Sequence, residues 1–218
     1  MASETNPVVR GNTSAFAKFA ENVEADVRLS QHRSLFVQKL EPDLMEFARI
    51  RRLYGANTGA GAALAPVTAL PTTTATWILY NPTSNNRVFV PLRAYCWGVS
   101  GTLGLGMALL LGAPNDVVAT APTLHASSVN KALMPKSQGT SAIFGSAATI
   151  AAPVWNVMEA RSQVSAVEVG SGLVTDIKGM YLIEPGYGLA GAVLAPVGTT
   201  ALFGFGLIWG ELDLTMGA

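Results

Sequence analysis

Charge is what this sequence has least of. Of its 28 Asp, Glu, Lys and Arg residues, 15 fall within residues 1–52, and the 166 residues that follow hold only 13. The segment Tyr187–Gly210 holds none. A soluble monomer ordinarily has about a quarter of its residues charged and spreads them over its surface. A body this poor in charge, and rich in Gly, Ala, Val, Leu and Thr, is expected to have much of its surface covered by other protein. Histidine is nearly missing too: His32 and His125 are the only two, which argues against a metal centre built on imidazoles. With Cys96 as the single cysteine, no intrachain disulfide can form. Between Tyr95 and Trp97, it reads as a small buried apolar residue.

Two further features are absent. The polar start, Met1-Ala2-Ser3-Glu4-Thr5-Asn6-Pro7, lacks the apolar run of a secretory signal. Neither long apolar stretch suits a membrane span. Val99–Ala113 is shorter than the ~20 residues a spanning helix needs. Leu189–Gly210 is interrupted by Pro196-Val197-Gly198-Thr199-Thr200, a turn signal. Two strands joined by a hairpin fit it better, and no membrane span is expected.

What is present falls into three parts: an arm over 1–54, a linker over 55–74 and a β-sandwich domain over 75–218. In the arm Phe16, Phe19, Ala20, Val23 and Val27 recur at helical spacing with charged residues between them, an apolar stripe capped by Thr13 or Ser14. Phe16, Phe19, Val23 and Val27 are its candidate docking residues. A second helix is expected from Pro42 to about Tyr54, with Arg49, Arg51 and Arg52 at its C-terminal end. Both helices either pack on their own domain or dock on a neighbouring subunit. The arm has eight basic and seven acidic residues. A nucleic-acid-packaging arm is strongly basic, so no direct nucleic-acid contact is expected. The stretch from Gly55 to Thr74, small, uncharged and twice interrupted by proline, reads as a linker or crossing strand.

Beyond it the pattern turns to short strands. Ala75–Tyr80 is closed by Asn81-Pro82-Thr83-Ser84. Arg87–Trp97 alternates, with Val88, Val90, Leu92, Ala94 and Cys96 on one face and Arg87, Phe89, Pro91, Arg93, Tyr95 and Trp97 on the other. Asp116–Gly139 reads as the longest exposed loop. Further strands are expected near Leu103–Leu111, Ser141–Ile150, Val154–Met158, Gln163–Val169, Val174–Ile183, Gly188–Leu194 and Thr200–Leu214. About eight closely spaced strands with little helix among them predict a mainly β fold, an antiparallel jelly-roll-like sandwich. The closing hairpin is uncharged on both faces, as in strands covered on two sides. Val193, Leu202, Gly204, Gly206 and Trp209 are therefore its candidate subunit-interface residues.

Catalytic constellations are hard to find. A triad through His125 would need Asp116 or Asp176, and no local spacing supports either. Glu184 and Glu211 end neighbouring expected strands and are the best carboxylate pair for glycoside chemistry, yet strand-end acids usually sit in solvent or in ion pairs. The glycines of Gly101-x-x-Gly104-x-Gly106 and Gly186-x-Gly188-x-x-Gly191 imitate a dinucleotide fingerprint, but neither run opens a helix after a parallel strand. Trp77, Trp97, Trp155 and Trp209 suggest a sugar platform on paper, while their place in strands suits core or interface better. No catalytic, cofactor or metal residue is assigned.

The segments Leu182-Ile183-Glu184-Pro185-Gly186-Tyr187-Gly188-Leu189 and Phe205-Gly206-Leu207-Ile208-Trp209-Gly210-Glu211-Leu212 form a strand, a Pro-Gly corner and a closing aromatic-Glu strand. With Leu79-Tyr80-Asn81-Pro82-Thr83-Ser84 and Arg87-Val88-Phe89-Val90, they resemble the jelly-roll virion proteins of tailed bacteriophages, over about residues 76–214. The resemblance implies a structural role, without an active site. The expected role is a head decoration (cement) subunit: a homo-oligomer, most readily a trimer, whose arm clamps other virion proteins such as the major capsid protein. A tail, fibre or baseplate component binding a host surface, or a major jelly-roll coat protein, are the alternatives. Location in the virion, assembled in the host cytoplasm, follows from the same resemblance.

Overall fold

The computed structural model describes residues 45–58, 63–102, 106–120, 122–124, 131–132, 139–163, 172–195 and 201–213. The chain divides into two compact units, Met1–Met45 and Glu46–Ala218, and every described strand lies in the second. The first expected helix, with Phe16, Phe19, Val23 and Val27, lies outside the described residues.

The described residues are mainly strand, and every strand pair is antiparallel. A short helix, α1 (Met45–Arg49), precedes β1 (Leu53–Asn57), β2 (Trp77–Tyr80), β3 (Arg87–Ser100) and β4 (Gly106–Thr120). Four short strands follow: β5 (Thr123–Leu124), β6 (Lys131–Ala132), β7 (Ile143–Ser146) and β8 (Thr149–Ile150). The chain closes with β9 (Asn156–Gln163), β10 (Gly172–Asp176), β11 (Tyr187–Leu194) and β12 (Leu202–Asp213). One sheet has the order β10-β3-β12-β1-β6; the other runs β5-β7-β2-β11-β4, where β4 also pairs β9 along its first half and β8 near its end. Among the described residues no helix is long and apolar enough to cross a membrane.

The main apolar cluster draws side chains from both sheets, which gives the fold its β-sandwich-like character. Tyr54, Phe89, Phe205 and Trp209 come from the first sheet, Trp77, Leu110, Phe144 and Val193 from the second. The Trp77 ring meets Phe205 at 5.8 Å and Phe144 at 6.0 Å, while Trp209 stacks on Tyr54 at 5.9 Å. Each outer face carries its own smaller cluster. Phe47 and Ala48 of α1 cover Leu53, Val90 and Leu92 on the first sheet. On the second, Ile78, Ala113 and Ala190 are covered by Ala148, Ile150 and Trp155, from the segment inserted between β4 and β9.

Three departures from the sequence reading have local causes. The helix expected to reach Tyr54 ends at Arg49. Arg51 takes a left-handed conformation (φ 60°), Arg51 N–H donates to Ala48 O at 3.0 Å and Arg52 N–H to Phe47 O at 2.8 Å. That is a Schellman cap, hidden in sequence because arginine occupies the position where glycine is usual. Next, Gly55–Asn57, inside the expected linker, belong to β1 and pair with β12, and Gly55 also pairs with β6. Ala56 is buried, and Thr58 donates its N–H to Phe205 O and accepts Phe205 N–H at its hydroxyl, so small residues here serve a covered strand. Finally, β3 does not keep one alternation. Ile208 pairs Arg93 but Trp209 pairs Pro91, so Leu92 is a bulge. The extra residue turns Val90 and Leu92 outward while Phe89, Ala94 and Cys96 face the main core. The carbonyls of Pro91 and Leu92 there accept N–H groups from Ile177, Lys178 and Gly179. The segment Asp116–Gly139, expected as a loop, contributes the end of β4 as well as β5 and β6.

Candidate assembly surface

The residues singled out on the closing hairpin separate by face. Val193 and Trp209 point into the main cluster and are fully buried within the chain itself. Leu202 is half-buried at the start of β12. Gly204 and Gly206 lie on the outer face of the first sheet, and there the ring of each glycine's β3 neighbour lies across it. A Cβ on Gly204 would meet the Trp97 ring at 2.4 Å, and one on Gly206 the Tyr95 ring at 2.2 Å. The two rings stack on each other at 5.9 Å. The close approach those glycines permit is thus to the chain's own aromatics, and Tyr95 and Trp97, half-buried, form the outer layer. Burial pushes the Tyr95 hydroxyl above its ordinary range.

Pairing registers extend this face in rows. Asp176, Arg93, Ile208 and Gly55 form one row. Val174, Tyr95, Gly206 and Asn57 form the next, and Gly172, Trp97 and Gly204 the third. Arg93 Nε donates to Asp176 Oδ1 at 2.5 Å, and this hydrogen bond holds the Asp176 carboxyl below the usual carboxylate range. The face therefore joins an exposed ion pair to a two-ring patch. Alternation within β3 already places Tyr95 and Trp97 on one face; that they cover the glycines of β12 depends on pairing that sequence alone does not give.

Glu211 and Glu184 take different roles. Glu184 is exposed, whereas Glu211 is fully buried. Arg87 Nη1 donates to Glu211 Oε2 at 2.9 Å and to Gly139 O at 3.0 Å. Thr140 Oγ1 and Trp209 Nε1 both donate to Glu211 Oε1. Asp213 joins Arg87 to Arg52, the latter at 2.6 Å. Burial, then the Glu211 charge, pushes the Tyr54 hydroxyl up. This network ties the end of β12 to the start of β3 and uses the Glu211 carboxylate structurally. Cys96 is buried against β10, and burial pushes its thiol up to about 11. Gly101 (φ 86°) follows β3, and Gly186 (φ 91°) sits in a Pro-Gly turn before β11, so both glycine runs join strand to strand. Trp155 belongs to the outer cluster of the second sheet. Among the described residues no three His, Cys, Asp or Glu side chains group closely enough to hold a metal ion. His32 and His125 lie outside the described residues.

No family model, curated protein or solved structure matches the chain.

Proposed function

We propose that this chain is a non-enzymatic virion structural subunit with a jelly-roll body, a head decoration protein that forms homo-oligomers and clamps neighbouring capsid proteins through its N-terminal arm. The observation that carries the reading is strand order. Setting aside the short added strands, the sheets read β1-β12-β3-β10 and β2-β11-β4-β9. Along the chain each successive strand changes sheet, except from β4 to β9. Two four-stranded antiparallel sheets wired in this way are the plan of a jelly roll, the fold that the Pro-Gly corner and closing strand suggest by resemblance. The scarcity of charge and the use of Glu211 as a buried ion-pair partner also favour structure over chemistry.

Copies in the virion, assembled in the host cytoplasm, would form a ring, most readily a trimer, since closed symmetry satisfies a charge-poor surface. Light scattering on the purified chain at low micromolar concentration is expected to give a mass of three copies. Cryo-EM of the native particle is expected to place the protein on the head surface. A monomer in solution and no density on the particle would remove the proposal.

A further inference from the structure

We propose that the outer face of the first sheet around Tyr95 and Trp97 binds a neutral glycan, one whose pyranose units carry equatorial hydroxyls. The site goes beyond the assembly role proposed above and does not depend on it.

The floor of the site is aromatic. Trp97 lies across Gly204 and Tyr95 across Gly206, with their planes 26° apart and their centres 5.9 Å apart. Neither ring belongs to an apolar cluster. Each is half-buried against its glycine, and the neighbouring Val174 and Asn57 are exposed. Polar groups surround this floor. Tyr95 carries its Cζ and Oη over Gly206, from β3 towards β1, where Asn57 is the next residue of the row. Arg93 and Asp176 stand in the adjoining row, with Arg93 Nε committed to Asp176 and both side chains about half exposed. Among the described residues Tyr95 Oη, Trp97 Nε1 and the Asn57 amide have no hydrogen-bond partner.

Charge and hydrogen bonding together select the ligand. Arg93 is balanced by Asp176, so this patch lacks the unpaired cations that nucleic-acid phosphates require. An apolar partner would bury the three free polar groups without hydrogen bonds, at a cost for each. What fits is a neutral molecule with an apolar face and hydroxyls around its rim. A pyranose with equatorial hydroxyls has that form. Its axial C–H bonds meet the ring faces, and its rim meets the polar tips of the two aromatics and the Asn57 amide. An axial hydroxyl would instead be pressed onto the aromatic floor and lose its hydrogen bonds. Two rings on alternate residues of one strand offer that floor to two successive sugar units.

The test titrates the full chain with cellohexaose, a neutral oligosaccharide of all-equatorial units, followed by calorimetry and tryptophan fluorescence. Binding is expected with a dissociation constant on the order of 1 mM, as suits an open face with few polar contacts. Tyr95→Phe and Asn57→Ala each remove one polar group and leave the ring floor, and each is expected to weaken binding about two- to tenfold. Trp97→Leu keeps an apolar cover over Gly204 but removes the flat indole, and is expected to weaken binding about tenfold or more. An unchanged thermal midpoint in Tyr95→Phe and Asn57→Ala separates lost binding from lost fold. A wild-type chain that does not bind cellohexaose overturns the site, as does binding that all three variants leave unchanged. Tighter binding of a single-stranded oligothymidylate, weakened by the same variants, overturns it too, because the rings then serve bases. So does self-association that Val174→Arg abolishes, since the face then belongs to a second copy. Each of these outcomes leaves the assembly role standing.

Discussion

A buried amide holds two turns of this protein together. Asn81 is fully buried at the end of β2; its Nδ2 donates to Arg87 O at 2.8 Å and to Ile183 O at 2.9 Å. Its main chain completes the link, with Asn81 N–H donating to Tyr187 O and its carbonyl accepting Gly186 N–H. The turn entering β3 and the Pro-Gly corner entering β11 are thereby fixed to one another. Asn81→Asp keeps the shape and exchanges two donors for an acceptor facing two carbonyls. It is expected to destabilise the fold by about 3 kcal/mol, the cost of a buried polar group left without partners, or more if the carboxylate stays charged. Urea denaturation would show this as a lower midpoint with an unchanged slope. In sequence, Asn81-Pro82 reads as a turn signal, and the corner Glu184-Pro185-Gly186-Tyr187 is equally visible. That one side chain joins them was not legible, because it depends on residues a hundred positions apart.

At the scale of the strand, glycines in β11 and β12 show how a ring's freedom sets the cost of a methyl group. A Cβ on Gly191 would come within 2.1 Å of the Trp77 ring, and one on Gly206 within 2.2 Å of the Tyr95 ring. The distances are alike but the rings are not. Trp77 is fully buried and held between Phe144 and Phe205, while Tyr95 is half-buried on the outer face and touches Trp97 on one side. Gly191→Ala is expected to cost about 1–3 kcal/mol, the range for overpacking a filled core. Gly206→Ala is expected to cost clearly less, with a change in Tyr95 fluorescence as the ring moves. Equal losses in thermal denaturation would show that the outer aromatic layer is as rigid as the core. Strand positions were readable from alternation, since β2, β11 and β12 lie where apolar runs place them. The bulge at Leu92 was not, because alternation is a local rule and a single inserted residue reverses every side chain before it.

Composition cannot distinguish a linker from a strand that is covered on both sides, because small uncharged residues serve either, and for the molecule as a whole this moves the start of the body. Gly55-Ala56-Asn57 is strand and not linker: it continues β1, with Ala56 buried, pairing Ile208, Leu207 and Gly206 of β12. Further along, Leu64 bridges Phe203 and Val67 bridges Leu194, so this stretch of chain stays against the two closing strands. A fragment of residues 75–218 would remove Leu53, Tyr54 and Ala56, all buried, and leave one side of β12 unpaired. It would uncover Trp209, which stacks on Tyr54 at 5.9 Å. Burying a large side chain contributes about 1.5–3 kcal/mol. Losing Tyr54 and Leu53, exposing Trp209 and giving up the β1 ladder together approach the roughly 5–15 kcal/mol that holds a typical domain. A fragment of residues 46–218 keeps β1 and the Phe47 ring over Gly210. The 46–218 fragment is expected to unfold cooperatively in urea with a β-sheet circular dichroism spectrum. The 75–218 fragment is expected to lack that transition and to aggregate through the uncovered β12 edge. Should 75–218 give the same spectrum and midpoint, β1 contributes nothing to the body, and the strand order that supports the jelly-roll reading loses its first member.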